Sequence, residues 1–174
     1  IPDATMVCGS PRGYFVADFK RNGKYSLAYK KVLGQDIASA WLAGDSALVV
    51  NVFGGAPDGS VSVRIPGRKG WLSAVREERP APEALEVIER NKSIPRKTGK
   101  ARNPEYLPMR KVNSPHVWSV RLSESLDASY ADSVKVSHTS QGSQYGASMP
   151  GSVKIRYKDP CMSFNATVPL RFFP

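Results

Sequence analysis

Apolar residues in this chain recur at every second position in short runs, and a turn signal bearing Gly, Pro or Asn closes most of them. That rhythm leaves little room for helix and predicts many short strands. Residues 12–19 alternate around Tyr14 and Val16, Arg21-Asn22-Gly23 follows, and 24–31 alternate through Tyr25, Leu27 and Tyr29. Asn-Gly between two such runs predicts an antiparallel hairpin. Residues 46–53 are nearly continuously apolar, which suits a central strand covered on both faces. Further strands are expected at 60–65, 70–76, 116–122, 132–138, 152–157 and 167–173, with a loop over 142–151. Pro80-Ala81-Pro82 breaks the pattern and precedes the one credible helix, 83–91, whose apolar residues are Leu85, Val87 and Ile88.

These elements predict an all-β fold: an immunoglobulin-like antiparallel β-sandwich with one short helix. Its inward faces would be Leu48/Val50/Val52, Val61/Val63, Val120/Leu122, Val134/Val136, Val153/Ile155 and Leu170/Phe172. A chain of 174 residues suits a single domain over 1–174, opened by a hairpin segment at 8–31. A chain of that size buries about 70% of its unfolded surface, so neither metal nor disulfide is needed to hold it. No apolar run approaches the roughly 20 residues of a membrane-spanning helix. The chain starts at Ile1, and any signal peptide is expected upstream.

Twenty-five Lys and Arg against fifteen Asp and Glu give a net charge of +10, which favours polyanionic partners. The excess concentrates in a basic excursion over 92–113, where Lys92, Arg96, Lys97, Lys100, Arg102, Arg110 and Lys111 face a lone Glu105. It reads either as a solvated loop or as a docking surface for an acidic partner. Arg96, Lys97, Lys100, Arg102, Arg110 and Lys111 are the candidate polyanion-binding residues. Nucleic acid is a poor match, since only Tyr106 could stack on bases there. Trp41, Trp71 and Trp118 read first as core residues; left exposed on a sheet, Trp41 and Trp71 above all, they could stack on sugar rings.

The residues that carry chemistry are scarce. His116 and His138 are the only histidines, and neither stands in a metal-spaced pair. There is no His-Glu-x-x-His, no Gly-x-Ser-x-Gly and no phosphate-binding Gly-x-x-x-x-Gly-Lys. His116, after Pro115, reads as a structural histidine at a strand start. Glu77-Glu78 between Arg76 and Arg79 reads as solvated surface. Cys8 and Cys161 are the only cysteines, without a Cys-x-x-Cys, so zinc and thioredoxin-like roles fall away. A bridge between them, stabilising by on the order of 4–5 kcal/mol, and two buried free thiols both remain open. Asn91-Lys92-Ser93 and Asn165-Ala166-Thr167 match the glycosylation triplet, a pattern common enough to arise by chance.

Gly9-Ser10-Pro11-Arg12-Gly13-Tyr14, the strand pair through Tyr29, Val50-Asn51-Val52-Phe53, Asn103-Pro104-Glu105-Tyr106 and Ser114-Pro115-His116-Val117-Trp118 occur in one order. That order resembles the C-terminal region of bacterial calcineurin-like metallophosphoesterases, over points spread through most of 8–140. Asp132 to His138 and Gln144-Tyr145-Gly146 approximate the family's next motifs with extra polar residues. The resemblance implies an accessory module, attached to an N-terminal phosphoesterase domain. The family's catalytic domain holds two divalent metals through Asp-x-His, Gly-Asp-x-x-Asp, Gly-Asn-His-Glu and Gly-His-x-His, which clamp the reacting phosphate oxygens. None of the four motifs stands in this sequence, so no catalytic residue, metal ligand or cofactor is expected in it. The resemblance also implies export, to the periplasm or the cell surface. The alternative is a stand-alone binding module for an acidic glycan or other polyanion.

Overall fold

The computed structural model describes residues 5–43, 47–66, 69–122 and 151–172. The strand expected at 132–138, with Val134 and Val136, lies outside the described residues, as does the loop at 142–151 apart from Gly151. Among the described residues, eleven strands and one helix follow in order. They are β1 (Gly13–Phe19), β2 (Tyr25–Lys31), β3 (Ala38–Ala43), β4 (Ala47–Val52), β5 (Ser60–Arg64) and β6 (Leu72–Arg76). Then come α1 (Pro82–Arg90), β7 (Lys97–Thr98), β8 (Ala101–Arg102), β9 (Val117–Arg121), β10 (Ser152–Lys158) and β11 (Ser163–Phe172).

Seven strands close into a barrel in the order β10-β11-β3-β4-β9-β6-β5, with β5 returning to β10. This corrects the expected two-sheet immunoglobulin-like sandwich. The strand that closes it is β3, which the sequence pattern does not announce: Ala38-Ser39-Ala40-Trp41-Leu42-Ala43 is rich in alanine, a poor strand former. β3 pairs antiparallel with β4, Ala40 opposite Val50, and parallel with β11, Leu170 opposite Ala40. Ala38 and Ala40 face the interior, where their small side chains leave room for the larger residues across from them. Closure pairs every barrel strand on both sides and removes the exposed edges that a sandwich keeps.

The barrel interior follows from period-two alternation. In β10, Val153, Ile155 and Tyr157 point inward while Lys154, Arg156 and Lys158 face solvent. Leu48, Val50, Val52, Trp118 and Leu170 fill the same core, and the Trp118 and Tyr157 rings meet edge to face at 5.9 Å. The other faces of β3, β4 and β9 are covered too. Trp41, Val49 and Val117 pack there with Ala81, just before α1, so β4 is buried on both sides as its apolar run implies.

β1 and β2 form the expected antiparallel hairpin, Phe19 opposite Tyr25, as a two-stranded sheet separate from the barrel. Its turn uses Gly23 at φ 79°, a left-handed conformation that glycine adopts without strain. Tyr29 and Leu27 pack on the barrel core, and two hydrogen bonds add to this: the Leu27 N–H donates to the Cys161 carbonyl at 2.7 Å, and the buried Tyr29 hydroxyl donates to the Pro11 carbonyl. The basic excursion contains the small β7–β8 hairpin, turning at Gly99. Cys8 and Cys161 are both free and half-exposed rather than buried.

Candidate functional site

α1 starts with Pro82, whose missing N–H is one that a helix start leaves unpaired in any case. Glu83 follows in the first turn, where an acidic side chain suits the positive helix end. Here the side chain turns inward and is 8% exposed. Its Oε1 accepts hydrogen bonds from the Ser39 hydroxyl and from Trp41 Nε1 at 3.2 Å. Its Oε2 accepts from Asn51 Nδ2 at 2.8 Å. Burial raises the Glu83 carboxyl above its ordinary value, and these hydrogen bonds oppose the shift in part.

Asn51 links this carboxyl to the N-terminal segment, since the same Nδ2 donates to the Gly9 carbonyl at 3.1 Å. Gly9 sits at φ 85°, and a Cβ there would lie 2.0 Å from the Ala81 Cβ. Only glycine fits. Next to it, Cys8 meets His116. The His116 Nδ1–H donates to the Gly55 carbonyl at 2.5 Å. The Cys8 thiol is lowered to about 7, first through its hydrogen bond with His116, with burial acting in the opposite direction. A thiol of that pKa is substantially thiolate at neutral pH and correspondingly reactive.

Residues from the Gly9–Pro11 segment, β3, β4, the start of α1 and the start of β9 thus meet in one buried polar junction. A cavity of about 320 Å³ opens beside it, bordered by Ser39 and Glu83 from the junction, by Pro11 and Phe53, and by Glu86 and Arg90 from the helix. Among the described residues no group of three or more His, Cys, Asp or Glu is placed to hold a metal ion. A family model for the C-terminal region of calcineurin-like phosphoesterase matches residues 1–145. The chain belongs to that family. No curated protein and no solved structure matches it. The segments that carry the family resemblance, Gly9-Ser10-Pro11, Asn51-Val52-Phe53 and Ser114 to Trp118, supply part of the junction, and β3 and α1 supply Ser39, Trp41 and Glu83.

The sequence-derived site residues fare unevenly. Trp41, read first as a core residue and only otherwise as an exposed aromatic, is 3% exposed. Its indole N–H needs a buried acceptor, and Glu83 supplies one. Trp118 is buried in the barrel. Trp71 is half-exposed, with the Arg156 guanidinium 4.3 Å over its ring. Arg96, Lys97, Lys100, Arg102, Arg110 and Lys111 are all exposed. β7–β8 sets Lys97 opposite Arg102, while Arg96 stacks 5.5 Å over Tyr106. Sequence reasoning missed Cys8, Ser39, Asn51, Glu83 and Arg90 as site residues. Pro82-Glu83 marks a helix start, yet nothing local says that this particular glutamate turns inward.

Proposed function

We propose that this chain is the non-catalytic accessory end of a calcineurin-like phosphoesterase and packs, through β1–β2, on the N-terminal phosphoesterase domain of the same polypeptide. The observation that carries the reading is the apolar surface of that hairpin. Phe19 is 76% exposed and Tyr14 58%, with Phe15, Val16 and Tyr25 exposed beside them. The hairpin lies on the barrel through Tyr29 and Leu27, yet Phe15, Phe19 and Tyr25 stay exposed on one of its faces and Tyr14 and Val16 on the other, and exposed apolar side chains gathered on one small element mark an interaction site. The two divalent metals of phosphoester hydrolysis belong to the partner domain in this reading, and the polypeptide works outside the cytoplasm. Hydrogen exchange over residues 13–31, compared between this chain and the full-length polypeptide, tests the docking. Protection rising about tenfold or more in the full-length form is expected; equal exchange in both would overturn it.

A second reading, polyanion binding, has its own observation. Like charges directly opposite in a strand pair repel, and Lys97 faces Arg102 across β7–β8 with Arg96 and Lys100 adjacent. An acidic glycan would relieve that repulsion. Retention on a sulfated-glycan column, lost when Arg96, Lys97, Lys100 and Arg102 become Ser, is the expected result. Unchanged elution of that variant would rule it out.

A further inference from the structure

The cavity beside α1 has a feature that neither docking nor polyanion binding uses. Arg90, in the last turn of the helix, lines it, and the guanidinium Nε and Nη2 are buried without a hydrogen-bond partner. These two N–H groups lie on the same edge of the guanidinium, spaced to meet both oxygens of one oxyanion. Buried donors left unpaired are rare in folded proteins, because each loses its water without replacement.

The acids already lining the cavity do not serve that edge. Both oxygens of Glu83 are engaged by Ser39, Trp41 and Asn51. Asp36 pairs with Lys31 at 3.9 Å. Glu86 stands one helical turn before Arg90, yet among the described residues no ion pair joins them. The lining sets Lys31, Arg90 and Arg171 against Asp36, Glu83 and Glu86, so no excess of positive charge draws a phosphate dianion, and the paired edge of Arg90 beside Glu86 suits a singly charged carboxylate better. Phe53, Val87, Leu107 and Val168 add apolar wall for an organic body, and Asn91 Nδ2 pins the Leu107 carbonyl at 2.6 Å. A volume of about 320 Å³ lies at the small end of the range for ligand pockets.

We propose that this cavity binds a carboxylate, held side-on by Nε and Nη2 of Arg90. The carboxylate belongs either to a free organic acid or to an Asp or Glu side chain of the N-terminal domain. The recognition chemistry is the same for both.

The experiment follows the Arg90 Nε–H resonance by nitrogen NMR while propionate is added. In this chain the resonance should shift saturably, Arg90→Lys should weaken binding about tenfold or more because it loses the paired edge, and Glu86→Gln should tighten it. Inorganic phosphate should bind more weakly than propionate. The same titration on the full-length polypeptide separates the sources. A resonance already at the bound position and indifferent to propionate points to a side chain of the polypeptide; a titrating one points to a free acid. Absence of any saturable shift in this chain, equal affinity in Arg90→Lys, tighter binding of phosphate, or weaker binding in Glu86→Gln would each overturn the proposal. Should Arg90→Lys fail to fold, the wild-type titration and Glu86→Gln still decide it.

Discussion

Replacing Glu83 tests the polar junction most directly. Glu83→Ala removes the acceptor for three donors. Trp41 Nε1 keeps a contact with the Ser39 hydroxyl at 3.1 Å, and Asn51 Nδ2 keeps the Gly9 carbonyl at 3.1 Å. Each of these two loses one bond, at about 1 kcal/mol apiece, while Ser39 is left as a buried donor without its acceptor, at about 2 kcal/mol. The sum is about 4 kcal/mol, which for a chain of this length lowers Tm by roughly 8–16 °C. Glu83→Gln keeps the volume and one acceptor oxygen, and should cost about 1–2 kcal/mol at acid pH. The pH dependence then separates burial from hydrogen bonding. Burial raises the folded-state carboxyl above its ordinary 4.5, so the fold favours protonated Glu83. Its contribution is complete below 4.5 and is lost as pH rises through the folded-state value. Urea unfolding of wild type and Glu83→Gln from acid to neutral pH should therefore show the wild-type advantage shrinking upward. An advantage that grows with pH would refute the reasoning, because the three donors would then hold the carboxylate more strongly than burial opposes it.

Gly9→Ala must both strain a left-handed backbone and displace Ala81, and should cost about 2–4 kcal/mol in thermal or chemical unfolding. Iodoacetamide should alkylate Cys8 with a rate that rises through a midpoint near the thiol's value of about 7; His116→Ala should move that midpoint upward, and an unmoved midpoint would mean that the imidazole does not hold the thiol. Trp118→Ala opens a void in the barrel interior and should cost about 3–5 kcal/mol. Phe19→Ser, at the exposed hairpin tip, should change the stability of this chain by no more than about 0.5 kcal/mol, so denaturant midpoints should separate the two widely.

Several features are legible in the residues alone because they rest on local rules. Alternating Val153, Ile155 and Tyr157 declare a strand with one buried face. Asn22-Gly23 declares a hairpin, and β1 and β2 pair antiparallel across it. Pro82 followed by Glu83 declares a helix start, and α1 begins there. The run Ala47-Leu48-Val49-Val50 declares a strand with no solvent face, and β4 has none. The order of short motifs through Trp118 points to the calcineurin-like phosphoesterase C-terminal family, and the chain belongs to it.

Barrel closure, in contrast, depends on β3, an alanine-rich strand whose pairing with β11 joins residues far apart in sequence. Local propensity argues against it, and only the small size of Ala38 and Ala40 between larger neighbours explains why it fits. The junction is equally non-local. Glu83 is an ordinary helix-start acid until Ser39, Trp41 and Asn51 arrive from two strands to satisfy it, and Trp41 is an eligible surface aromatic until its indole finds that carboxylate. Alternation and turn chemistry act over a few residues, so the sequence by itself determined the described strands other than β3, β7 and β8, the β1–β2 hairpin, the helix and the absence of the family's metal-binding motifs. Which strands close the barrel, which polar groups are buried together and where Arg90 lies are set by contacts between distant segments, and the tertiary structure alone decided them.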